Sequence, residues 1–366
     1  MGRASRRLGR IILMTAELAR ARAPYQRLAG PKFSTAEDVV SHFVCMQSQD
    51  FAMAKWAIAL RSTGLTDAML DEAFNDGAFL RTHILRPTWH FVLPQDLGWI
   101  MALTCSRVHR LMTGHNKTID LGDGELDTAS DVIIAALADG KALTRASLAT
   151  HLADAGIDAK GTRLAHLVIH CELQLLICNG PLAGKQHTYV LVPEAVTAAN
   201  RLTEDEALAR LEQAYVRGHG PSRPADLSWW SSLTLTQSRR AFELAGLQPR
   251  IIDDQEFWCT VPAVAESPSP RAALMPAFDE AISYVHKPID LDRFPAKLPD
   301  LARGGGLLFV NGLIGGTWGR KLTSKCVEVS VRVQGPLPRV LATAIESDAT
   351  KYAAFLETEL DLRIAQ

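Results

Sequence analysis

The chain has 366 residues, of which 47% are hydrophobic and 22% are charged. This composition excludes wholesale disorder, and the length predicts two or three domains that fold without disulfide or metal staples. No apolar run approaches the roughly 18 to 20 residues that cross a bilayer. The apolar stretch near the N-terminus, IILM, is too short for a secretory signal. We therefore expect a cytoplasmic protein without a membrane partner.

The formal net charge of −1 argues at first sight against a nucleic-acid partner. This average hides a basic start, because residues 1–32 carry eight Lys or Arg against the single acid Glu17. Any contact with DNA should therefore come from local basic patches. The six cysteines are scattered and form no CxxC pair, so we expect buried thiols and neither a metal site nor a cofactor.

The first predicted unit, residues 33–122, follows the basic N-terminal segment 1–32. Apolar periodicity predicts helices from Ser34 to Ser62 and over DAMLDEAFNDG. The segments THILRP and TWHFVLP then indicate a hairpin with Pro87 at its bend. Helices followed by a hairpin are the elements of a winged helix, although this copy is irregular.

The second predicted unit, residues 123–200, shows the same order of elements most clearly. Helices are predicted over 128–138, over RASLATHLADA after a Thr144 cap, and from about Thr162 to Gln174. The segments LLIC and TYVLV read as two strands around a turn-rich loop. Three helices and a hairpin are typical of a winged helix, whose third helix can enter a DNA groove.

A third unit is predicted over residues 201–265. Thr203 and Glu206 form a capping box for EDEALARLEQAYVRG. The segments GPSRPADLSWWSS and TQSRRAFELAG supply two more helices, and IIDDQEFWCTV ends the unit as a strand.

Residues 266–366 are predicted to form a different, C-terminal β element. LLFVNGLIGGTW has the Asn-Gly turn of a hairpin, VEVSVRV alternates as a strand, and the last thirty residues read as a terminal helix. RGGGLLF lacks the lysine and Ser/Thr of a P-loop and is assigned to a turn. The predicted fold class is α+β, mainly α with small β-hairpins, as three tandem winged-helix units plus the C-terminal β element.

The motif MQSQD places Gln47, Gln49 and Asp50 within an apolar segment predicted to be helical. Buried amides need polar partners. On a helix, residues i and i+2 point roughly 200° apart, so both glutamines can face one cavity only near a helix end or a distortion. The pattern alone also fits capping or solvent-facing residues.

The QSQD stretch with the following FAMAKWAIALRS resembles the QxQ motif region of the AlkZ-type DNA glycosylases of the winged-helix DNA-binding superfamily. The likeness covers about residues 15–335 in the family's order, through GAFLRTHILRPTWHFVLPQDLGWIMAL, LVIHCELQLLICNGP, RGHGPSRPADLSWWSSL, LMPAFDEAISY and LLFVNGLIGGTW. Because several spaced blocks agree, the chain is identified as a member of this family.

The resemblance implies a concave cradle for double-stranded DNA and hydrolysis of the N-glycosidic bond of purines alkylated at N7 or N3, with bulky adducts or interstrand crosslinks among the candidate lesions. The two motif glutamines fall on Gln47 and Gln49. Their carbonyls could hold a water and face an oxocarbenium-like transition state, since a cationic purine needs little acid assistance to leave. Asp50 is a candidate supporting residue. No lysine lies in the motif, so we expect no lyase activity.

Basic candidates for DNA contact lie in several segments. Arg81 and His83 share one face of a predicted strand, which should form an outward polar ridge. For Arg81 and Arg86 the alternatives are phosphate contacts and salt bridges at helix ends or between units. His90 is interpreted as a core histidine bonded to backbone. Further candidates are Lys185, Arg239, Arg240, Arg320, Lys321 and Lys325.

The chain departs from the family's pattern in two places. It has Pro87 where the family has glycine and Trp89 where it has leucine, which could change the hairpin geometry. His286 and Lys287 replace an arginine pair in the family's "AFDEYLLGYRDR" block, which could change specificity.

A non-catalytic DNA-binding protein, such as a transcription regulator, is the alternative, because winged helices often regulate. A regulator usually has one such unit and a dimerisation element, whereas this chain strings several units together. A member of the family that has lost its activity is a third possibility. We expect a monomer, since a cradle of tandem units already surrounds DNA.

Overall fold

The computed structural model describes residues 16–194, 196, 202–260, 271–283 and 305–366. It has a mixed α+β architecture of helices and small sheets, arranged as four regions along the chain. No helix within these ranges is long and apolar enough to span a membrane.

The first region, residues 16–92, combines four short helices with a three-stranded sheet. The helices are α1 (Ala16–Arg22), α2 (Ala36–Phe43), α3 (Phe51–Ala59) and α4 (Asp67–Asn75). The strands are β1 (Cys45–Gln47), β2 (Leu80–His83) and β3 (Trp89–Val92), with β3 in the centre and antiparallel to both neighbours.

The predicted hairpin is confirmed as β2–β3, with Pro87 in the connection. The helical prediction for Ser34 to Ser62 is confirmed for α2 and α3 but wrong between them, where β1 separates the two helices. The chain leaves α2 at Val44, whose φ is 60°, and Cys45 to Gln47 then pair with β3. Sheet pairing and burial therefore outweigh the local helical pattern here.

The helix α5 (Pro94–Thr118), for which the sequence predicted no element, leads into the second region, residues 119–191. This region contains α6 (Asp123–Leu137), β4 (Leu143–Thr144), α7 (Arg145–Asp154), α8 (Thr162–Leu173), β5 (Ile177–Ala183) and β6 (Gln186–Leu191). The three predicted helices and the predicted hairpin are confirmed, although α6 begins earlier than predicted. Thr144 caps α7 by accepting a hydrogen bond from the Ser147 backbone.

The third region, residues 202–258, consists of three helices and a hairpin: α9 (Glu204–His219), α10 (Pro224–Ser231), α11 (Leu235–Ala245), β7 (Pro249–Ile252) and β8 (Gln255–Trp258). The capping box of Thr203 and Glu206 is confirmed. The single strand predicted at the end of this unit is instead a hairpin. Asp253 and Asp254, with φ of 49° and 59°, supply the left-handed pair that a tight two-residue turn requires.

The C-terminal region, residues 271–366, is built around a five-stranded sheet. Its elements are β9 (Ala272–Pro276), α12 (Glu280–Ser283), β10 (Gly306–Val310), β11 (Leu313–Leu322), β12 (Cys326–Val333), α13 (Arg339–Phe355) and β13 (Glu359–Ala365). The Asn-Gly hairpin is confirmed at Asn311 and Gly312. The prediction of a helix over the last thirty residues is only partly correct. The helix α13 ends at Phe355, and the residues after it form β13, which pairs with β12 as a parallel edge strand.

Two hydrophobic cores meet at the sheet of the first region. Met46 and Phe91 project into a core shared with the C-terminal sheet. Cys45 and Val92 project into a core shared with α5 and the helices of the third region. A strand buried on both faces shows no alternation of apolar and polar residues, which is why β1 resembles part of a helix in the sequence.

The predicted buried thiols are confirmed for three of the six cysteines. Cys45, Cys171 and Cys178 are buried, whereas Cys105, Cys259 and Cys326 are partly exposed. All six are free thiols. The prediction was wrong for the partly exposed group because apolar neighbours in sequence do not guarantee burial.

Candidate active site

A cavity of about 810 Å³ lies beside β1, and Gln47 and Gln49 both line it. Its walls come from three regions: β1 and α3 of the first, the start of α7 and the β5–β6 turn of the second, and the segment between β9 and α12. The side chains that line it include Phe51, Arg81, Trp89, Arg145, Lys185, His187 and Phe278. The cavity therefore gathers groups that are far apart in the chain.

Gln47 is the last residue of β1 and lies opposite His90 on β3. Its backbone N–H donates to Glu280 Oε1 over 2.6 Å. Its side-chain Oε1 is buried and has no hydrogen-bond partner among the described residues. A buried carbonyl without a donor is costly, so this oxygen is suited to accept a hydrogen bond from a bound molecule.

Gln49 lies two residues further along, at the bend that follows β1. The Ser48 N–H donates to the Trp89 carbonyl over 2.8 Å, so pairing continues one residue beyond Gln47. Residues i and i+2 of an extended chain lie on the same side. On a regular helix the two glutamines would point roughly 200° apart. Both can face one cavity here because this stretch is not a helix. Gln49 Oε1 also accepts a hydrogen bond from the Trp89 backbone at 3.4 Å.

Asp50 is the N-cap of α3. Its Oδ1 accepts a hydrogen bond from the Met53 backbone at 3.2 Å, which satisfies one of the free N–H groups at the helix start. The side chain nevertheless lines the cavity with the two glutamines. The cap therefore fixes where the extended motif ends.

Arg81 holds the backbone between the two glutamines. Its Nε and Nη2 donate to the Ser48 carbonyl at 3.1 and 2.9 Å, and its Nη1 donates to Asn179 Oδ1 at 2.8 Å. The guanidinium also lies 4.3 Å from the centre of the Trp89 ring. Burial lowers the pKa of Arg81 to about 10, which still leaves it charged at neutral pH.

The predicted outward ridge of Arg81 and His83 is wrong, since both side chains are buried. Their face of β2 packs against the second region. His83 Nδ1 lies 2.5 Å from Glu172 Oε2 on α8, and Arg81 reaches Asn179 on β5. The two residues thus connect the first and second regions, in the case of Arg81 through a hydrogen bond to an amide and not through the alternative salt bridge.

His90 is the core histidine that the sequence predicted. It is fully buried, its Nδ1 lies 2.9 Å from the Thr88 carbonyl, and burial lowers its pKa to about 3. Arg86 is half-buried, and its Nε and Nη2 have no hydrogen-bond partner within the described ranges. Burial also lowers the pKa of Arg86.

Glu280, on α12, was not predicted as a site residue. Its Oε2 accepts hydrogen bonds from His219 Nε2 at 2.8 Å and from Trp230 Nε1 at 3.0 Å, while its Oε1 accepts from Gln47. Burial alone would raise its pKa, but the hydrogen bond and charge of His219, together with the Gln47 N–H, hold the pKa at about 2. The only signal in the sequence was its place in the AFDE block.

The neighbouring Asp279 forms a second buried link to the first region. Its two carboxylate oxygens accept hydrogen bonds from Arg61 Nη1 and Nη2 at 2.8 and 2.6 Å, and both side chains are fully buried. This bidentate geometry is the strongest form of an arginine–carboxylate contact. The start of α12 is therefore attached to Arg61, just after α3, and to β1 by two separate acids.

The remaining basic candidates are spread over the surface. Among them Lys185, in the β5–β6 turn, lines the cavity, together with Arg145, the first residue of α7, which the sequence analysis missed. Arg239 is exposed on α11, whereas Arg240 pairs with Asp205 at 2.8 Å.

Two candidates of the C-terminal sheet have partners within the protein. Arg320 donates to the Tyr352 hydroxyl at 2.6 Å, and Lys321 lies 3.4 Å from Glu328. Lys325 lies in an exposed turn. His286 and Lys287 lie outside the described residues.

The cavity offers amide carbonyls, aromatic faces and a basic rim. Phe51 contacts His187 edge to face at 4.7 Å, and burial lowers the pKa of His187 to about 4. Phe278 is 41% exposed. In the described part of the chain, no three His, Cys, Asp or Glu side chains are grouped as a metal ion would require. Such a cavity can stack a planar base and bind phosphate at its rim.

Comparisons with known proteins identify similar sequences and a similar fold. A family model for DNA glycosylase AlkZ-like proteins matches residues 40–355. The interstrand DNA cross-link repair glycosylase of Streptomyces sahachiroi is 25% identical over 210 residues, or 55% of this chain. This match spans only 56% of the length of that relative.

The solved structure of the DNA glycosylase AlkZ of Streptomyces sahachiroi superposes with a TM-score of 0.77 and 19% identity. The superposition covers 96% of this chain and 99% of that chain. At this identity, the likeness establishes a shared fold.

Proposed function

The chain belongs to the DNA glycosylase AlkZ-like family, and from this premise we propose that it is a monofunctional DNA glycosylase. Its proposed substrates are purines alkylated at N7 or N3 in double-stranded DNA, including bulky adducts and interstrand crosslinks. The observation that carries the proposal is that Gln47 and Gln49 line one cavity. The name of the similar Streptomyces sahachiroi glycosylase supports the extension to crosslinks.

In the proposed reaction, water replaces the damaged base at C1′ of the sugar. The bond between C1′ and the base breaks, and its electron pair leaves with the purine, which neutralises the positive charge of the alkylated ring. Water adds to C1′ and releases a proton to solvent. The amide oxygens of Gln47 and Gln49 orient this water and place negative dipole ends beside the oxocarbenium-like transition state.

Amides are weak proton acceptors, so the proposed enzyme acts on bases that are already good leaving groups. Asp50 acts mainly through the backbone, since its Oδ1 caps α3. Arg81 likewise supports the motif by holding the Ser48 carbonyl. The QSQD motif itself contains no lysine, and Lys185 of the cavity lining is proposed as a phosphate contact, so the proposed reaction is hydrolysis without lyase activity.

The proposed DNA interface is the cavity and its rim. We interpret the first three regions as tandem winged helices, since each contains helices followed by a hairpin. Arg145 and Lys185 are the proposed phosphate contacts nearest to the glutamines, with Arg239 as a more distant one. The protein is proposed to act as a monomer, because a cradle of tandem units within one chain can already surround DNA.

The test uses a duplex that contains a single 7-methylguanine, and a second duplex with an N7 interstrand crosslink. Incubation with the wild type should produce abasic sites that heat or alkali cleaves, without strand cleavage by the enzyme itself. Gln47→Ala and Gln49→Ala should each lower the rate of base release about 100- to 1000-fold. Gln174→Ala, an exposed glutamine at the end of α8, is the matched control and should be active.

Release of no base by the wild type would contradict the proposed function. Equal rates for Gln47→Ala and the wild type would contradict the role of the motif. Tight binding to one undamaged sequence, with no preference for the lesion, would favour the transcription regulator instead.

A further inference from the structure

Glu280 connects the candidate catalytic strand to the third region. Gln47 donates its backbone N–H to one carboxylate oxygen, and His219 and Trp230 donate to the other. Glu280 is 1% exposed and His219 is fully buried. An acid at this depth is stable as an anion only when donors compensate for the loss of water.

His219 is itself held at both ring nitrogens and on its faces. Its Nδ1 lies 3.1 Å from the Tyr215 carbonyl and its Nε2 lies 2.8 Å from the Glu280 carboxylate. The rings of Phe43, Tyr215 and Trp230 lie with their centres 5.3, 4.8 and 5.2 Å from that of His219, so aromatic packing fixes the position of the imidazole beside Glu280.

The contact with Gln47 occurs at an open edge of a sheet. Among the described residues β1 has a strand neighbour on one side only, because the sheet order is β1-β3-β2. In an antiparallel pair, alternate residues direct their N–H groups away from the partner strand. The Gln47 N–H is such a group, and Glu280 takes the place that a further strand would fill.

The next peptide group is held from a different direction. Ser48 donates its N–H to Trp89, and its carbonyl accepts two hydrogen bonds from Arg81. The Glu280 carboxylate therefore binds the N–H of Gln47, at the start of the QSQ stretch, and the Arg81 guanidinium binds the carbonyl of Ser48, at its middle. Both side chains are buried. Arg81 lies on β2, in the same region as the motif, whereas Glu280 lies on α12 in the C-terminal region.

We infer that Glu280 is a positioning residue for the glycosylase reaction: its carboxylate holds the backbone of Gln47 so that the side-chain amide faces the cavity. This inference rests on the proposed function. Glu280 does not line the cavity and acts through Gln47. Its loss should therefore slow the chemical step while DNA binding is retained.

The test measures base release and DNA binding separately. Single-turnover rate constants are determined on the duplex with one 7-methylguanine, and dissociation constants on the same duplex with guanine. Glu280→Gln removes the charge at almost constant volume and should lower the rate constant about 100-fold, because small displacements of catalytic groups cost that much. The dissociation constant should change by less than about twofold.

The matched control is Glu212→Gln, the same substitution at another buried acid on the helix that carries His219. Neither carboxylate oxygen of Glu212 has a hydrogen-bond partner in the described residues, so Glu212 has no hydrogen bond to β1. This control should release base at the wild-type rate. Equal rates for Glu280→Gln and Glu212→Gln would overturn the inference, and so would equal losses of rate and DNA affinity in Glu280→Gln.

If Glu280→Gln does not fold, a second variant, Trp230→Phe, tests the role of Glu280. Trp230→Phe removes one of the two donors to Oε2 and leaves the bond to Gln47 in place. The rate constant should fall about 3- to 10-fold, as expected for one lost hydrogen bond. A folded Trp230→Phe protein with the wild-type rate would overturn the inference. An inactive wild type would instead refute the proposed function, on which this inference depends.

Discussion

The first and second regions contain the same kinds of elements but build their cores in different ways. In the second region, α6, α7, α8 and the β5–β6 hairpin surround a hydrophobic cluster made only of residues 119–191. In the first region, β1 and β3 divide their side chains between two clusters that include the C-terminal and third regions. The candidate active site therefore lies where separate cores meet.

This difference shows that the second region has a hydrophobic cluster of its own, whereas the first region shares its clusters with other regions. The glutamine motif depends on contacts from all the other regions: Arg81 on β2 is itself held by Asn179, and Glu280 reaches β1 from α12. The second region needs fewer such contacts, yet it supplies the basic rim of the cavity. The predictions below test this division between a dependent first region and a self-contained second one.

Loss of the buried Arg61–Asp279 pair should have the largest effect on stability. Asp279→Ala leaves the Arg61 guanidinium buried without its carboxylate, which should lower the free energy of unfolding by about 3 to 5 kcal/mol. Asp205→Ala, which breaks the exposed pair with Arg240, should change the free energy of unfolding far less, because solvent screens the pair. Urea unfolding of both variants measures this contrast, and similar losses would show that the first region does not depend on the C-terminal segment.

Glu212 tests the core that the first and third regions share. Burial raises its pKa from 4.5 to about 8, so the folded protein retains a proton that the unfolded chain releases between these pH values. Stability should therefore fall as pH rises from 4.5 to 8 and level off above 8. Glu212→Gln should remove this contribution and raise the free energy of unfolding at pH 8 by about 1 to 3 kcal/mol.

The measurement compares thermal or urea unfolding of the wild type and Glu212→Gln at pH 5 and pH 8. The variant should gain stability relative to the wild type as the pH rises. A constant difference between the two proteins at both pH values would mean that Glu212 keeps an ordinary pKa.

The smallest expected effect concerns the rim that the second region provides. Arg145→Ala and Lys185→Ala should each weaken DNA binding by up to about tenfold and reduce the slope of log affinity against log salt by about 1. Arg239→Ala, distant from the cavity, should change affinity less. If only Arg239→Ala weakens binding, DNA does not cross the rim of the cavity.

Prediction from the sequence was most accurate where the signals are local. The Thr144 cap, the capping box of Thr203 and Glu206 and the Asn311–Gly312 turn each involve residues close together in the chain. The candidate site was predicted only in part. Its two glutamines came from resemblance to a family, and neither Glu280 nor Arg145 was assigned a role.

The sequence by itself determined the helices of the second region, the Asn-Gly hairpin and the identity of the two glutamines in the motif. Only the tertiary structure decided that the motif is a strand, since the partner that pairs with Gln47 is His90. It also turned Arg81 inward and placed Glu280 at the edge of β1. The reason is that sheet pairing and buried charge compensation depend on groups distant in the chain, whereas caps and turns depend on neighbours.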